Sequence, residues 1–195
     1  MTGGLILLAI VVVPAIVAVV LYNGLIARRN AYRNAYGQID VQVKRRHDLV
    51  PNLVATAREY LRHEHETLDA VIRARGTASS AAQAAARRPG DPAAMQALSG
   101  AEAALSGSLS RLLAVAEAYP DLKANATMAA LMEELSSTEN RIAFSRQAYN
   151  DAVMDYNTAR ESFPAVVVSA ALGFRPAASY AIEDPADRRP VQVAF

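Results

Sequence analysis

The feature that most constrains this chain is a long uncharged segment at its N-terminal end. No charged side chain occurs in residues 1–27, and residues 3–21 are almost entirely Leu, Ile, Val, Ala and Gly. A helix that crosses the hydrocarbon core of a bilayer needs about 20 such residues. Pro14 is tolerated in such a helix as a kink, and Tyr22 stands where an interfacial aromatic residue belongs. The segment predicts a transmembrane anchor over residues 1–27.

A cleaved signal peptide is the competing interpretation of the same segment. Such a peptide has a positive N-terminal region, a shorter apolar stretch and a small-residue cleavage site. Here the only positive group before the apolar run is the amino terminus, the run is long, and no clean cleavage site follows. These differences favour an anchor that stays in place.

The charges beside the anchor predict its orientation. Basic residues follow it on the C-terminal side, first Arg28, Arg29 and Arg33 and then residues 44–46, whereas no Lys or Arg precedes it. Cytoplasmic flanks are the ones enriched in Lys and Arg. We therefore expect the N-terminus outside and the residues after about 28 in the cytoplasm.

Composition narrows the class of the remaining chain. The 20 basic and 19 acidic residues leave a net charge of +1, so the chain lacks the broad positive field that nucleic-acid binding needs. The absence of cysteine excludes disulfides and thiolate chemistry. Aromatic residues make up 6% of the chain, which is lean for a β-sandwich or barrel and normal for a helical bundle.

Apolar spacing predicts three long helices, over about residues 28–76, 93–118 and 126–163. In the first, apolar residues recur at steps of three and four from Val50 to Ile72, and Pro51 predicts a kink or a short break. Residues 76–92 are the best linker because they end in an Arg-Arg-Pro-Gly-Asp-Pro cluster, although their Ala-rich part is also able to extend either helix. Pro120 marks the turn after the second helix.

The third helix carries the clearest pattern in the chain. Its mostly apolar stripe, which includes Thr138 and Ser145, alternates steps of three and four through positions 128, 131, 135, 138, 142, 145, 149, 152, 156, 159 and 163. Five such heptads are typical of a coiled-coil or bundle seam. After Pro164, residues 165–172 predict one or two more helical turns before Gly173. The fold class is therefore all-α, with an N-terminal transmembrane helix and an antiparallel bundle of long helices over residues 28–174. We expect an irregular tail over residues 175–195 that is loosely ordered or pairs only on assembly.

A basic block is one candidate contact site. Residues 40–52 are amphipathic and contain Lys44, Arg45, Arg46, His47 and Asp48, a set suited to anionic lipid or an acidic partner. The alternative is a solvated helix turn, because lipid-binding clusters usually hold four or more basic residues close to the membrane.

A repeated Tyr-Asn pair is the second candidate. Tyr149-Asn150 and Tyr156-Asn157 lie one heptad apart on the predicted seam. A tyrosine in a seam packs its ring and needs a partner for its hydroxyl, and an asparagine that pairs across helices is able to fix their register. We assign these four residues to packing and register rather than to catalysis.

A metal site is a weaker possibility at the His63-Glu64-His65-Glu66 sequence. Helical zinc ligands are spaced three or four residues apart, as in H-E-x-x-H, whereas His63 and His65 are two apart and point to nearly opposite faces. A solvated charged face is the better interpretation. No phosphate-binding loop, dinucleotide fingerprint or nucleophile beside a base is found in the sequence, so no cofactor is predicted.

Several motifs, taken in order, resemble the LemA family of bacterial membrane proteins. The match is sharpest at residues 39–54, IDVQVKRRHDLVPNLV. Shorter matching pieces lie at residues 22–25, 29–30, 60, 63–64, 119–124, 137–142, both Tyr-Asn pairs, 163–164 and 173–174. Residues 77–104 depart from the family pattern, and the tail after Phe174 matches only loosely. The resemblance implies a membrane-anchored antiparallel bundle in the bacterial cell membrane, with a cytoplasmic domain and no established catalysis.

Three functions are weighed on these grounds. The first is a self-assembling scaffold or membrane-organising protein, a homo-oligomer attached to membrane lipids by its anchor. The second is an adaptor or regulator of a membrane protease or another membrane complex, a role that the resemblance implies for some members of the family. The third, a metal-dependent enzyme built on His63, His65 and nearby glutamates, is the least favoured because of the ligand spacing.

Overall fold

The computed structural model describes the backbone of residues 2–181 and the side chains of residues 10–181. Over this range the chain forms helices and contains no strand, which confirms the predicted all-α fold. The helices are α1 (Thr2–Tyr60), α2 (His65–Arg87), α3 (Pro92–Ala116), α4 (Pro120–Lys123), α5 (Ala126–Glu161) and α6 (Ala165–Ala171).

Helix α1 is continuous from the apolar segment into the bundle. Neither Pro14 nor Pro51 ends it, so the break considered at Pro51 does not occur. On either side of Pro51, Val50 and Leu53 are buried in the core, and this packing holds the helix together although proline removes one backbone hydrogen bond. By length and composition, the part of α1 from Ile10 onward is able to cross a membrane. Its side chains over residues 10–20 are exposed except for a partly buried Ala18.

The single helix predicted over residues 28–76 is wrong, because the chain reverses at residues 61–64. Leu61 is buried at this turn and accepts a hydrogen bond from the Glu64 amide at 3.1 Å. Helix α2 then runs back so that Leu68 joins the same hydrophobic cluster as Leu53. Apolar spacing does not reveal the reversal, since both arms of the hairpin carry the same steps of three and four.

The linker predicted over residues 76–92 is mostly helical. Helix α2 continues to Arg87 with Ala78, Ala82 and Ala85 buried, and only residues 88–91 form the turn. Helix α3 starts with Pro92 in its first turn, and the Asp91 carboxylate accepts a hydrogen bond from the Ala94 amide at 3.0 Å. This is a regular N-cap arrangement. The extra turns predicted after Pro164 are present as α6.

The helices form two antiparallel pairs, α1 with α5 and α2 with α3, and α1 also packs on α2. Ion pairs between Arg28 and Asp155 and between Arg45 and Glu134 mark the register of α1 against α5. The buried side chains divide into two hydrophobic clusters. The proximal cluster, nearer the apolar segment, includes Tyr32, Leu98 and Tyr149, and the distal cluster includes Leu53, Leu105 and Met128.

Candidate functional site

The two Tyr-Asn pairs bind an extended segment of the chain's own C-terminal part. This segment, residues 173–181, follows α6 and lies along α5 without regular secondary structure. Tyr149 and Tyr156 are fully buried. The hydrogen bonds of Asn150 and Asn157 go to the segment rather than to another helix, so the expected pairing across helices is replaced by pairing to an extended chain.

Each asparagine pairs with both backbone groups of one residue. Asn157 donates to the Ala177 carbonyl at 2.8 Å and accepts from the Ala177 amide at 3.0 Å. Asn150 donates to the Tyr180 carbonyl at 3.2 Å and accepts from the Tyr180 amide at 2.8 Å. The side-chain amide thus takes the place of a neighbouring strand, which satisfies backbone groups that are costly to bury unpaired.

With the tyrosines, each Tyr-Asn pair forms one set of hydrogen bonds to the segment, which we call a rung: Tyr156-Asn157 with residues 175–177, and Tyr149-Asn150 with residues 178–180. Tyr156 donates to the Arg175 carbonyl at 2.9 Å, and Tyr149 donates to the Ala178 carbonyl at 2.7 Å. In each rung, the segment residue bound by the tyrosine comes two positions before the segment residue bound by the asparagine that follows that tyrosine in α5. Seven residues of α-helix rise about 10.5 Å, and three residues of extended chain span about 10 Å. The heptad spacing of the pairs therefore matches a three-residue spacing in the segment.

The other side of the segment lies against the α2–α3 hairpin. The Ala178 amide donates to the Gly90 carbonyl at 2.9 Å, and the Ser99 hydroxyl donates to the Ala181 carbonyl. Gly90 has a positive φ of 85°, and a Cβ there would lie 3.1 Å from side-chain atoms of Tyr32 and Ala177. The tail expected to be loosely ordered is thus packed as far as Ala181, and its remaining residues lie outside the described part of the chain.

Burial raises the pKa of the tyrosine hydroxyls at this site. It raises the pKa of Tyr149 well above 10, and the neighbouring Tyr32 adds to the effect. Burial likewise raises the pKa of Tyr180, with a smaller contribution from the Glu102 carboxylate. The hydroxyls therefore stay protonated at physiological pH and act as hydrogen-bond donors or as packed aromatic groups.

The basic block predicted as a contact site is divided between surface and core. Lys44 and Arg45 are exposed and form ion pairs with Asp40 and Glu134, each at 2.5 Å. Asp48 is exposed as well. Arg46 and His47 are buried, so the prediction that they contact a partner or lipid is wrong. Their side chains point toward α3, where both contact the Glu102 carboxylate.

Arg46 and His47 form a buried ionic layer with Glu102 of α3. The Arg46 Nη1 atom lies 3.3 Å from Glu102 Oε2, and the His47 Nε2 atom lies 2.7 Å from Glu102 Oε1. Arg46 also donates to the Ser106 hydroxyl at 2.6 Å. The side chains of Arg46, His47 and Glu102 are no more than 5% exposed. Residues of the proximal and distal clusters flank them along α1 and α3.

Sequence reasoning missed Glu102, although the sequence contains a signal for it. Glu102 occupies a stripe position between Leu98 and Leu105 and is the one acidic residue of α3. A lone carboxylate at such a position indicates a buried cation opposite it. The extended segment was missed because the heptad spacing of the Tyr-Asn pairs does not show that their partners are backbone atoms.

The His63-to-Glu66 sequence lies at the turn between α1 and α2. His63 and Glu64 are in the turn and His65 begins α2. Tyr119 donates to the Glu64 carboxylate at 3.5 Å, which ties the turn to the end of α3. Within the described residues, no group of three His, Cys, Asp or Glu side chains is placed to hold a metal ion.

Comparison with known proteins finds relatives of this chain among magnetosome proteins. The chain is 28% identical over 189 residues to the magnetosome protein MamQ of Magnetospirillum gryphiswaldense, covering 86% of this chain and 69% of that protein. It is also 28% identical over 204 residues to magnetosome protein MamQ 2 of Paramagnetospirillum magneticum, covering 96% of this chain and 75% of that protein.

The family model extends beyond the motifs noted in the sequence. It matches residues 35–195 and so includes the residues after Phe174, where the sequence resemblance is loose. This range takes in both Tyr-Asn pairs, the buried ionic layer and the extended segment. The match covers most of the chain, and the protein therefore belongs to the LemA family.

Proposed function

We propose that this protein is a non-enzymatic, membrane-anchored bundle that acts as a self-assembling scaffold or membrane-organising protein. The observation that carries the proposal is the continuity of α1, which runs for 59 residues from the apolar segment through both hydrophobic clusters. At 1.5 Å per residue such a helix is about 90 Å long. Because no flexible linker intervenes, the position of the anchor in a bilayer sets the position of the bundle.

The interior of the bundle supports a structural rather than a catalytic role. The buried charges of Arg46 and Glu102 face each other, and His47 contacts the same carboxylate. Groups arranged in this way are inaccessible to a substrate, and buried polar groups of this kind are known to specify register in some helical assemblies. The buried tyrosine hydroxyls of α5 are likewise occupied by backbone carbonyls.

The side of the membrane is part of the proposal. Arg28, Arg29 and Arg33 follow the apolar segment directly, and this bias supports an N-terminus outside with the bundle in the cytoplasm. The relatives bear the name of the magnetosome, which supports a role in organising a membrane rather than in chemistry. Exposed Lys44, Arg45 and Asp48 remain candidate contacts for a partner or lipid.

The outer side of α5 offers a surface for self-association. Phe144 is 78% exposed and Met154 is 65% exposed, both on the helix whose opposite face packs on α1. Large apolar side chains at this exposure are typical contact residues in an interface between proteins. We place the contact between copies of this chain here.

The mass of the full-length protein in mild detergent tests the proposal. We expect a homogeneous oligomer, and we expect Phe144→Glu to reduce its mass towards that of the monomer without changing the helical content. Gln96→Glu is the matched control, because it adds the same charge at an exposed position on α3, away from the outer side of α5, and should leave the oligomer intact. A monomer in the unchanged protein would refute self-assembly and favour an adaptor that docks on another membrane protein, such as a protease.

A further inference from the structure

The corner between α5 and α6 exposes large apolar side chains. Phe163 is 85% exposed, Val167 is 63% exposed and Leu172 is 57% exposed. Phe163 lies just beyond the end of α5, at the last position of the stripe predicted from the sequence, yet it is outside the core. Several such residues within ten positions indicate an interaction surface, and their place in the fold identifies what covers them.

The pairing of α1 with α5 shows that this corner lies beside the end of the apolar segment of α1. The Arg28 Nε atom lies 3.1 Å from Asp155 Oδ2, and α5 runs antiparallel to α1. From Asp155, six residues along α5 rise about 9 Å to its end, and six residues back along α1 lead to Tyr22. Accordingly, Val20 and Leu21 line the same groove as Phe163 and Pro164.

The chain that leaves α6 returns to the same level. The ring of Phe174 packs edge-on against Tyr22 with centroids 5.6 Å apart, and the Arg29 guanidinium lies 5.5 Å from the Phe174 ring centre. Helix α6 is thus held between two points that both lie where the apolar segment of α1 ends. Its residues Val166 and Val167 are exposed in the described part of the chain.

Positive charge surrounds this level of the molecule. Five arginines lie on the adjoining turns and on the chain after α6, namely Arg28, Arg29, Arg33, Arg160 and Arg175. The acidic residues on the facing turns of α5 are Asp151, Asp155 and Glu161, of which Asp155 pairs with Arg28 and Glu161 with Arg160. The remaining excess is positive, and anionic lipid head groups attract such residues.

We propose that the α5–α6 corner is a second membrane contact, in which Phe163, Val167 and Leu172 enter the interfacial region of the bilayer that α1 crosses. The inference rests on the proposed membrane anchor. A bilayer is the occupant because the corner is continuous with the apolar surface of α1 and is bordered by arginines. Amphipathic elements of this kind bury their apolar side chains about 5–10 Å into the boundary between head groups and acyl chains.

A second contact restricts the bundle in a way that one helix does not. A single span leaves rotation about its own axis and tilt to be set by its surroundings. With the corner also in the interface, both are fixed, and the same side of the bundle always faces the membrane. The outer side of α5 around Phe144 then takes a fixed direction relative to the bilayer, as a contact between copies requires.

Tryptophan fluorescence of the full-length protein in lipid vesicles tests this contact. The chain contains no tryptophan, so each substitution supplies a single probe. The probe variant is Phe163→Trp, and the matched control is Phe144→Trp, which is also an exposed phenylalanine but lies on α5, 19 residues away. Ile16→Trp reports on the anchor itself. The vesicles are a 3:1 mixture of phosphatidylcholine and phosphatidylglycerol, with and without bromine on the acyl chains.

We expect brominated lipid to remove most of the emission of Phe163→Trp and Ile16→Trp and to leave that of Phe144→Trp unchanged. Quenching of Ile16→Trp without quenching of Phe163→Trp would overturn the second contact and leave the anchor standing. A blue-shifted Phe163→Trp that brominated lipid does not quench would mean that protein covers the corner, which also overturns the inference. Unquenched Ile16→Trp would refute the anchor and the second contact together.

Discussion

Replacement of Glu102 by alanine tests whether the stability of the protein depends on pairing the buried charge of Arg46. The Glu102 carboxylate is the common partner of Arg46 and His47, and its side chain is 4% exposed. Without it, the Arg46 guanidinium stays buried with only the Ser106 hydroxyl as a side-chain partner. Removing one member of a buried ion pair costs about 3–5 kcal/mol.

That cost converts into a shift of the melting temperature. For a chain of this length, 1 kcal/mol lowers the melting temperature by about 2–4 °C, so Glu102→Ala should lower it by about 6–20 °C. The measurement is the loss of the helical circular dichroism signal on heating the full-length protein in detergent. Glu134→Ala is the matched control, because its partner Arg45 is about half exposed and pairs at the surface contribute about 0–1 kcal/mol.

A double variant separates the loss of the pair from the loss of its partner. Arg46→Met with Glu102→Leu removes both charges and fills the space with apolar side chains, an exchange that is often neutral or stabilising. We expect this variant to melt above Glu102→Ala. A Glu102→Ala protein that melts within 2 °C of the parent, roughly the effect of 1 kcal/mol or less, would refute the reasoning, because the layer would then be hydrated or able to rearrange.

Two further predictions concern the extended segment. Gly90→Ala should destabilise the protein by at least about 1–2 kcal/mol, because its left-handed φ disfavours a Cβ and Tyr32 crowds the position. Gly107→Ala, with open space around its helical backbone, should stabilise it by about 0.5–1 kcal/mol; equal melting temperatures for the two variants would contradict this. Stability should also fall as the pH rises above 10, because the unfolded chain releases the protons of Tyr149 and Tyr180 there while burial raises their folded pKa. Tyr149→Phe should weaken that dependence in melting experiments from pH 8 to 11, and an unchanged slope would contradict the assignment.

Sequence pattern predicts the parts of this fold that repeat. The apolar run and the seam of α5 each follow from residue type and spacing, and each is found in the described residues. The hairpin at residues 61–64 was not predicted, because the helical period is the same before and after it. The structure reveals the reversal, because Leu68 joins the cluster around Leu53 and Arg75 donates to the His47 carbonyl.

The candidate site shows a different limit. The Tyr-Asn pairs were recognised as structural from their heptad spacing, but their partner is the backbone of residues 175–180. Because all residues share the same backbone carbonyl, the sequence does not show which carbonyls these side chains bind. Arg46 and His47 illustrate the converse. Adjacent basic residues resemble a surface patch, and their burial follows from Glu102, which lies 55 or more residues away in the chain.

The two rungs on α5 also make the molecule sensitive to length in one short stretch of chain. Both rungs close together only because the three-residue steps from Arg175 to Ala178 and from Ala177 to Tyr180 span the same distance as the seven residues of helix between the rungs. One residue added between Ala177 and Ala178 would leave a single rung able to close, and no side chain replacement elsewhere would restore the other. Residues 176–179 should therefore accept substitutions at the exposed Pro176 and Ser179 and tolerate neither an insertion nor a deletion.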